Sequence, residues 1–227
     1  VATVGVVLFP GSNCEQDVIE AVRSLGGEGR ILWHGDDAIG DVDAVVVPGG
    51  FAHGDYLRPG AIARFSPIMA AVSDFARDGG PVVGICNGFQ VLTEAGLLPG
   101  ALRKNRDLRF LCTTVELEVA STASVLTSEA EVGQRLRIPI NHFEGSYVCD
   151  DETLARLQAD DRIVLRYVDN PNGSLDDIAG VASEGGNVVG LMPHPERASH
   201  PLLGSEDGVP LLRSLLVAAG LPAPAAA

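Results

Sequence analysis

The feature that most restricts this chain is a pair of short, wholly apolar runs that end in glycine-rich turns. "AVVV" at 44–47 passes straight into Pro48-Gly49-Gly50, and "PVVGI" at 81–85 passes into Cys86-Asn87-Gly88. A strand with one wet face alternates apolar and polar residues. A run that does not alternate has to be covered on both faces, as in a parallel sheet lying between helices. The turn residues of the first half predict strands over 4–9, 30–33, 43–47 and 81–85. Helices are predicted over 15–25, 67–78 and 87–95, with Ser12 or Asn13 capping the first and Gly96 closing the third. In the second half TTVELEV, LRIPI, RIVLRYV, IAGVAS and NVVGLMP read as further strands with little helix between them, before a last helix over 210–219. The expected fold is a three-layer α/β/α sandwich with a mostly parallel mixed sheet, flavodoxin-like in its layering. A single domain over 1–220 is expected, with residues 221–227 frayed.

Charge and cysteine usage narrow the partners. Lys and Arg number 16 against 30 Asp and Glu, a formal charge of −14. Such a field repels phosphate backbones, so nucleic acid is not expected as a partner. Cys14, Cys86, Cys112 and Cys149 form no C-x-x-C pair and are too sparse for a disulfide framework. The opening VATVGVVLF lacks a basic lead and runs into Pro10, so it reads as a first strand and not as a signal peptide. No run approaches the roughly 18 apolar residues of a membrane helix. A cytoplasmic protein with no membrane contact is expected.

Gly84-x-Cys86-x-Gly88 falls where a strand passes into a helix, the shape of a nucleophile elbow. Flanking glycines remove the Cβ atoms that would prevent the sharp turn, and the helix N-terminus favours a thiolate. The alternative for Cys86 is a small apolar residue in the core. Cys14, in "FPGSNCEQD", is a weaker candidate nucleophile; Cys112 and Cys149 read as packing or surface residues. A base is offered by "MPHPER": prolines at 193 and 195 should keep Met192 and His194 extended, so that Glu196 lies on the same side as His194 and can reach its imidazole. His34, His53 and His200 read as loop residues, and no metal site is expected. An oxyanion would find donors in the backbone N–H groups of Asn87 and Gly50, since Gly49 and Gly50 allow a close backbone approach.

Taken together, PGGF, GICNGFQ and PHPER resemble the class I (triad) glutamine amidotransferase family. The further blocks FPGSNC, GGFAHGDYLRPGAIA, GICNGFQVLTEAGLLPGAL, NPNGS and GNVVGLMPHPER are similar to its branch of glutaminase subunits of phosphoribosylformylglycinamidine synthase. That resemblance implies a Cys86–His194–Glu196 triad that hydrolyses glutamine to glutamate and passes ammonia to a synthetase subunit, with a third small subunit left open. It also implies that Gly49, Phe51, Gln90, Asn141, His142 and Phe143 contact the substrate, although NHFEG at 141–145 departs from the family's AHGEG. No cofactor is implied for this chain, and none of its stretches matches a P-loop. ATP and magnesium are expected on the synthetase. A stand-alone cysteine hydrolase or peptidase, and a non-catalytic regulatory subunit, remain the competing readings. GDYLRPG and NPNGS have turn chemistry with no obvious role in amide hydrolysis and are candidates for docking the synthetase.

Overall fold

A computed structural model describes residues 1–223. In chain order the elements are β1 (Thr3–Leu8), α1 (Glu15–Ser24), β2 (Glu28–Trp33), β3 (Ala44–Val47), α2 (Pro67–Arg77), β4 (Val82–Ile85), α3 (Asn87–Glu94) and β5 (Ala101–Lys104). There follow β6 (Leu111–Val119), β7 (Arg135–His142), β8 (Glu144–Val148), α4 (Asp151–Ala159), β9 (Ile163–Tyr167), β10 (Ile178–Ala182), β11 (Val188–Leu191) and α5 (Val209–Ala218). A nine-stranded sheet has the order β2-β1-β3-β4-β11-β10-β9-β6-β7. From β2 to β11 neighbouring strands run parallel; from β11 to β7 they alternate. With its flanking helices this is the expected three-layer α/β/α sandwich. Tail residues 224–227 lie outside the described residues.

The parallel half is what the apolar runs require. Every residue of β3, β4 and β11 is buried. Helix α3 sits on this half, and glycines let it come close. A Cβ on Gly88 would lie 1.8 Å from the Val47 carbonyl oxygen, and one on Gly190 would lie 2.0 Å from the Phe89 ring. Both spacings are far inside van der Waals contact, so no side chain fits. Gly96 closes α3 with φ of +72°, as expected.

Several local expectations were wrong. Helix α1 is entered at Cys14 with no side-chain cap. Ser12 instead turns back to accept from the Phe9 N–H at 3.1 Å, while the N–H groups of Asn13 and Cys14 donate to the Gly49 carbonyl. The capping side chains are diverted because this loop is tied to the one after β3, through a Ser12–Gly50 bridge. Helix α4 was missed. It buries only Leu157, so it carries no apolar stripe, although Asp150 caps it by accepting from Thr153 N–H at 2.7 Å. The two-stranded sheet of β5 and β8 was missed as well.

The glycines predict different costs. Gly88→Ala should destabilise by more than about 4 kcal/mol or abolish folding, because backbone faces the new methyl. Gly133→Ala, at φ of +83° with nothing within 4 Å, should cost about 1–2 kcal/mol from left-handed strain alone. Denaturant unfolding of the two variants measures the difference.

Candidate active site

The carboxyl ends of β1, β3, β4 and β11 meet on one edge of the sheet, where open α/β sheets bind ligands. Cys86 follows β4 and takes φ 51°, ψ −104°, a conformation rarely open to a residue with a side chain. Its N–H donates to the Leu191 carbonyl of β11 at 2.7 Å. A Cβ on Gly84 would lie 2.7 Å from the backbone of Gly88. The elbow is therefore pinned to β11 from one side and needs both flanking glycines. Cys86 is 5% exposed, and its sulfur lies 3.7 Å from the Asn141 carbonyl oxygen.

His194 lies three residues beyond β11, next to β4 in the sheet, and its N–H donates to the Pro139 carbonyl. Its Nδ1 lies 2.6 Å from Glu196 Oε1, and both side chains are buried. The contact is the expected one, but its geometry is not. His194 has φ −106° and ψ 85°, and residues 195–198 form a 3₁₀ turn, so the carboxylate reaches the ring around a turn and not along an extended strand. Nε2 of His194 is buried without a hydrogen-bond partner among the described residues. Burial opposes the charge on His194 most strongly. The Glu196 carboxylate, then Cys86 and Cys14 beside it, outweigh burial and hold its pKa well above 6.5.

A cavity of about 270 Å³ opens beside Cys86. The predicted residues Gly50, Phe51, Gln90, Asn141, His142 and Phe143 all line it, together with Asp55, Arg58 and Glu144, which were not anticipated. Gly49 lies behind it, where a Cβ would meet the His194 ring at 2.7 Å. The N–H of Gly50 has no acceptor among the described residues. That of Asn87, the first residue of α3, is one of the donors a helix leaves open. Buried Asn87 also ties the site together: Oδ1 accepts from the Ala52 N–H at 3.0 Å, and Nδ2 donates to Asp55 at 3.2 Å and to Gln90 Oε1 at 2.9 Å. The Gln90 amide in turn donates to the Glu144 carbonyl. Burial first, and Glu144 second, lift the Asp55 pKa to about 6, against a hydrogen bond from Asn87.

The NHFEG segment is held from beneath by Asn105, another residue that local sequence could not single out. Its Oδ1 lies 3.0 Å from His142 Nδ1 and accepts from the Gly145 N–H at 3.2 Å, while Nδ2 donates to the His142 carbonyl. Burial, and secondly the charge of His194, lower the His142 pKa to about 4. A Cβ on Gly145 would strike the His142 ring at 2.3 Å, so the tight glycine of this segment is Gly145. Phe143 is half-buried at the cavity wall, its ring 5.8 Å from the Lys104 ammonium.

Cys14 is buried against the same histidine but outside the cavity. Its sulfur receives Arg197 Nη2 at 3.1 Å, and Arg197 Nε donates to Asp17. Among the described residues, Cys14, His194 and Glu196 are the group whose ligand atoms lie close enough together for a metal ion. The 2.6 Å His194–Glu196 hydrogen bond already occupies that pair. Cys112 is exposed and Cys149 half-buried; all four thiols are free.

A strained cysteine on a strand-to-helix elbow, a carboxylate-backed histidine and a small cavity beside them define a cysteine amidohydrolase site. Residues 2–206 match the CobB/CobQ-like glutamine amidotransferase domain, and the chain belongs to that family. It is 58% identical to phosphoribosylformylglycinamidine synthase subunit PurQ of Rubrobacter xylanophilus over 95% of this chain and 98% of that protein. It is 54% identical to the subunit of the same name in Trichormus variabilis, over 93% of this chain and 96% of that protein. Among solved structures, PurLQS from Thermotoga maritima superposes with a TM-score of 0.88 at 44% identity, covering 95% and 98% of the two chains. A glutamine amidotransferase from the same organism, 18% identical over 96% of this chain and 94% of that one, superposes with a TM-score of 0.56 and shares the fold.

The two histidines should titrate in opposite directions. His142 should stay neutral down to about pH 4, and His194 should stay protonated well above 6.5. In Glu196→Gln the chief support of the His194 charge is gone while burial remains, so its pKa should fall. Imidazole ¹⁵N shifts followed against pH check both.

Proposed function

We propose that this chain is the glutaminase subunit of a phosphoribosylformylglycinamidine synthase. It would hydrolyse glutamine and supply ammonia to a synthetase that converts formylglycinamide ribonucleotide to formylglycinamidine ribonucleotide in purine synthesis. The observation that carries this reading is the strained Cys86 at the wall of a cavity sized for one amino acid, with His194 and Glu196 at the end of the neighbouring strand. The intact elbow argues against a non-catalytic subunit.

In the mechanism this supports, Glu196 accepts the hydrogen bond from His194 Nδ1–H and stabilises the imidazolium formed when Nε2 takes the Cys86 proton, so the pair rests as thiolate and imidazolium. The thiolate attacks the side-chain amide carbon of glutamine. The N–H groups of Gly50 and Asn87 stabilise the oxyanion, and losing one such donor costs ~10²–10³ in turnover. The imidazolium then protonates the leaving nitrogen, releasing ammonia and a thioester. His194 next takes a proton from water, whose oxygen displaces the sulfur, and glutamate departs. Asp55 and Glu144 suit the substrate's α-ammonium, whose charge would relieve their mutual repulsion. Gly49, Phe51, Gln90 and the 141–143 segment shape the remaining wall.

The chain is read as a single domain over 1–220, acting in the cytoplasm. ATP and magnesium would bind the synthetase, and a third small subunit completes the assembly.

A glutamine-analogue electrophile should label Cys86 and spare Cys14, Cys112 and Cys149, as read by peptide mass spectrometry. Cys86→Ser should abolish glutamine-dependent synthesis by the complex and leave ammonia-dependent synthesis intact; loss of both would refute the assignment. Asp55 is ionised above about pH 6, so kcat/KM for glutamine should fall as pH drops through 6. Asp55→Asn should raise KM about 10-fold or more and remove that limb of the pH profile.

A further inference from the structure

We propose that a basic groove beside the cavity mouth, together with two exposed leucines, forms the surface on which this subunit seats an acidic face of its synthetase. The proposal rests on the reading above and adds to it where the partner binds and by what chemistry.

The charge distribution is the first observation. On a chain of charge −14, four of the 16 basic residues fall within RKNRDLR at 103–109: Arg103, Lys104, Arg106 and Arg109. All four are exposed. Among the described residues only Arg106 comes within 4.0 Å of a carboxylate, that of Asp107, too far for a hydrogen bond, and Glu144 lies opposite Lys104 in the β5–β8 pair. Arg103, Lys104 and Arg106 line a groove of about 670 Å³. That groove shares Arg58 and Glu144 with the cavity beside Cys86, so the two openings are contiguous.

The second observation is strain. Leu57 (φ +69°, 87% exposed) and Leu108 (φ +52°, 67% exposed) hold left-handed backbone while pointing apolar side chains into solvent. Left-handed backbone costs about 1–2 kcal/mol for such residues, and burial within the chain does not offset it. Strain held in place without an internal reward is characteristic of contact sites. Leu57 lies on the cavity and Leu108 on the groove.

The third observation joins GDYLRPG, which also carries Asp55 to the cavity, with NPNGS, the turn motif left over from amide hydrolysis. Arg58 of GDYLRPG and Gly173 of NPNGS both line the groove. The Arg106 N–H donates to the Asn172 carbonyl at 2.8 Å, and a Cβ on Gly173 would lie 2.9 Å from Arg106 Cβ, which fixes the basic segment against the second turn.

The occupant follows from the product. Phe51, Leu57 and Phe110 are exposed on the cavity beside Cys86 and mark its mouth, and ammonia released there into open water would be protonated and lost. Its acceptor must cover that mouth, and the groove is the next surface it meets. Apolar anchors ringed by complementary charge are the usual anatomy of such a contact.

The test titrates wild-type chain and two variants, Arg103→Glu/Lys104→Glu/Arg106→Glu and Leu108→Asp, against the purified synthetase at low and high salt. The triple variant should bind at least ~10-fold more weakly and lose most of its salt dependence. Leu108→Asp should bind more weakly and keep its salt dependence. Cys86 in both isolated variants should react with the glutamine-analogue electrophile at the wild-type rate, showing an intact site. Unchanged affinity in both variants beside a tight wild-type complex overturns the surface and leaves the function standing. Variants that abolish self-association of the chain while binding synthetase normally overturn it in favour of a dimer contact. A wild-type chain that supports no glutamine-dependent synthesis overturns both.

Discussion

The site depends on one close approach: the backbone of Gly88 against the carbonyl of Val47, where a methyl group would lie 1.8 Å from oxygen. It brings the start of α3 down onto β3. Cys86 is thereby forced into its positive φ, while its N–H is fixed to β11. The strain, of order 1–3 kcal/mol, is held by the packing of three buried strands. In return the thiol stands at the helix N-terminus and beside the loop after β3. The same contact sets the spacing between the N–H of Asn87 and that of Gly50, so the groups proposed as nucleophile and oxyanion donors are positioned by a single constraint.

The electrostatics follow from burial. Taking His194 and Glu196 out of water is costly unless they pair, and their hydrogen bond supplies the pairing. With Glu196 on Nδ1, the imidazole can present only Nε2 to sulfur. His142, buried a few ångströms of backbone away from Cys86, has no carboxylate. It is kept neutral by burial and by the charge of His194, and serves as packing beneath Gly145. Two buried histidines thus differ in charge, and the presence of a carboxylate partner decides which one holds a second proton.

Much of this was legible in the sequence because it was encoded locally. Non-alternating apolar runs gave away the buried strands, the glycines around Cys86 the elbow, and the His-Pro-Glu spacing the ion pair. What escaped was carried by contacts between distant residues. The Asn87 side chain bonds across 32 and 35 residues to Asp55 and Ala52, and Asn105 across 37 and 40 to His142 and Gly145. No periodicity marks such an asparagine. Helix α4 escaped for the opposite reason: its cap at Asp150 was visible, but with one buried residue it had no face to detect.

The sheet divides its labour between its halves. The parallel half, from β2 to β11, presents strand ends on one edge and supplies Cys86, His194 and the Gly49-Gly50 loop. Parallel strands alone leave that edge open to water. The antiparallel half closes it: β7 runs back beside β6, delivers Asn141 to 3.7 Å from the Cys86 sulfur, and passes into β8, where the Glu144 carbonyl accepts from Gln90. A cavity wall built this way is held by Asn105, and Phe143, half-buried beside Lys104, forms part of it. Gly145, where the chain crosses the His142 ring, is the tight glycine of the segment, and the departure from the AHGEG pattern places an aromatic ring on the cavity wall where that pattern has a glycine.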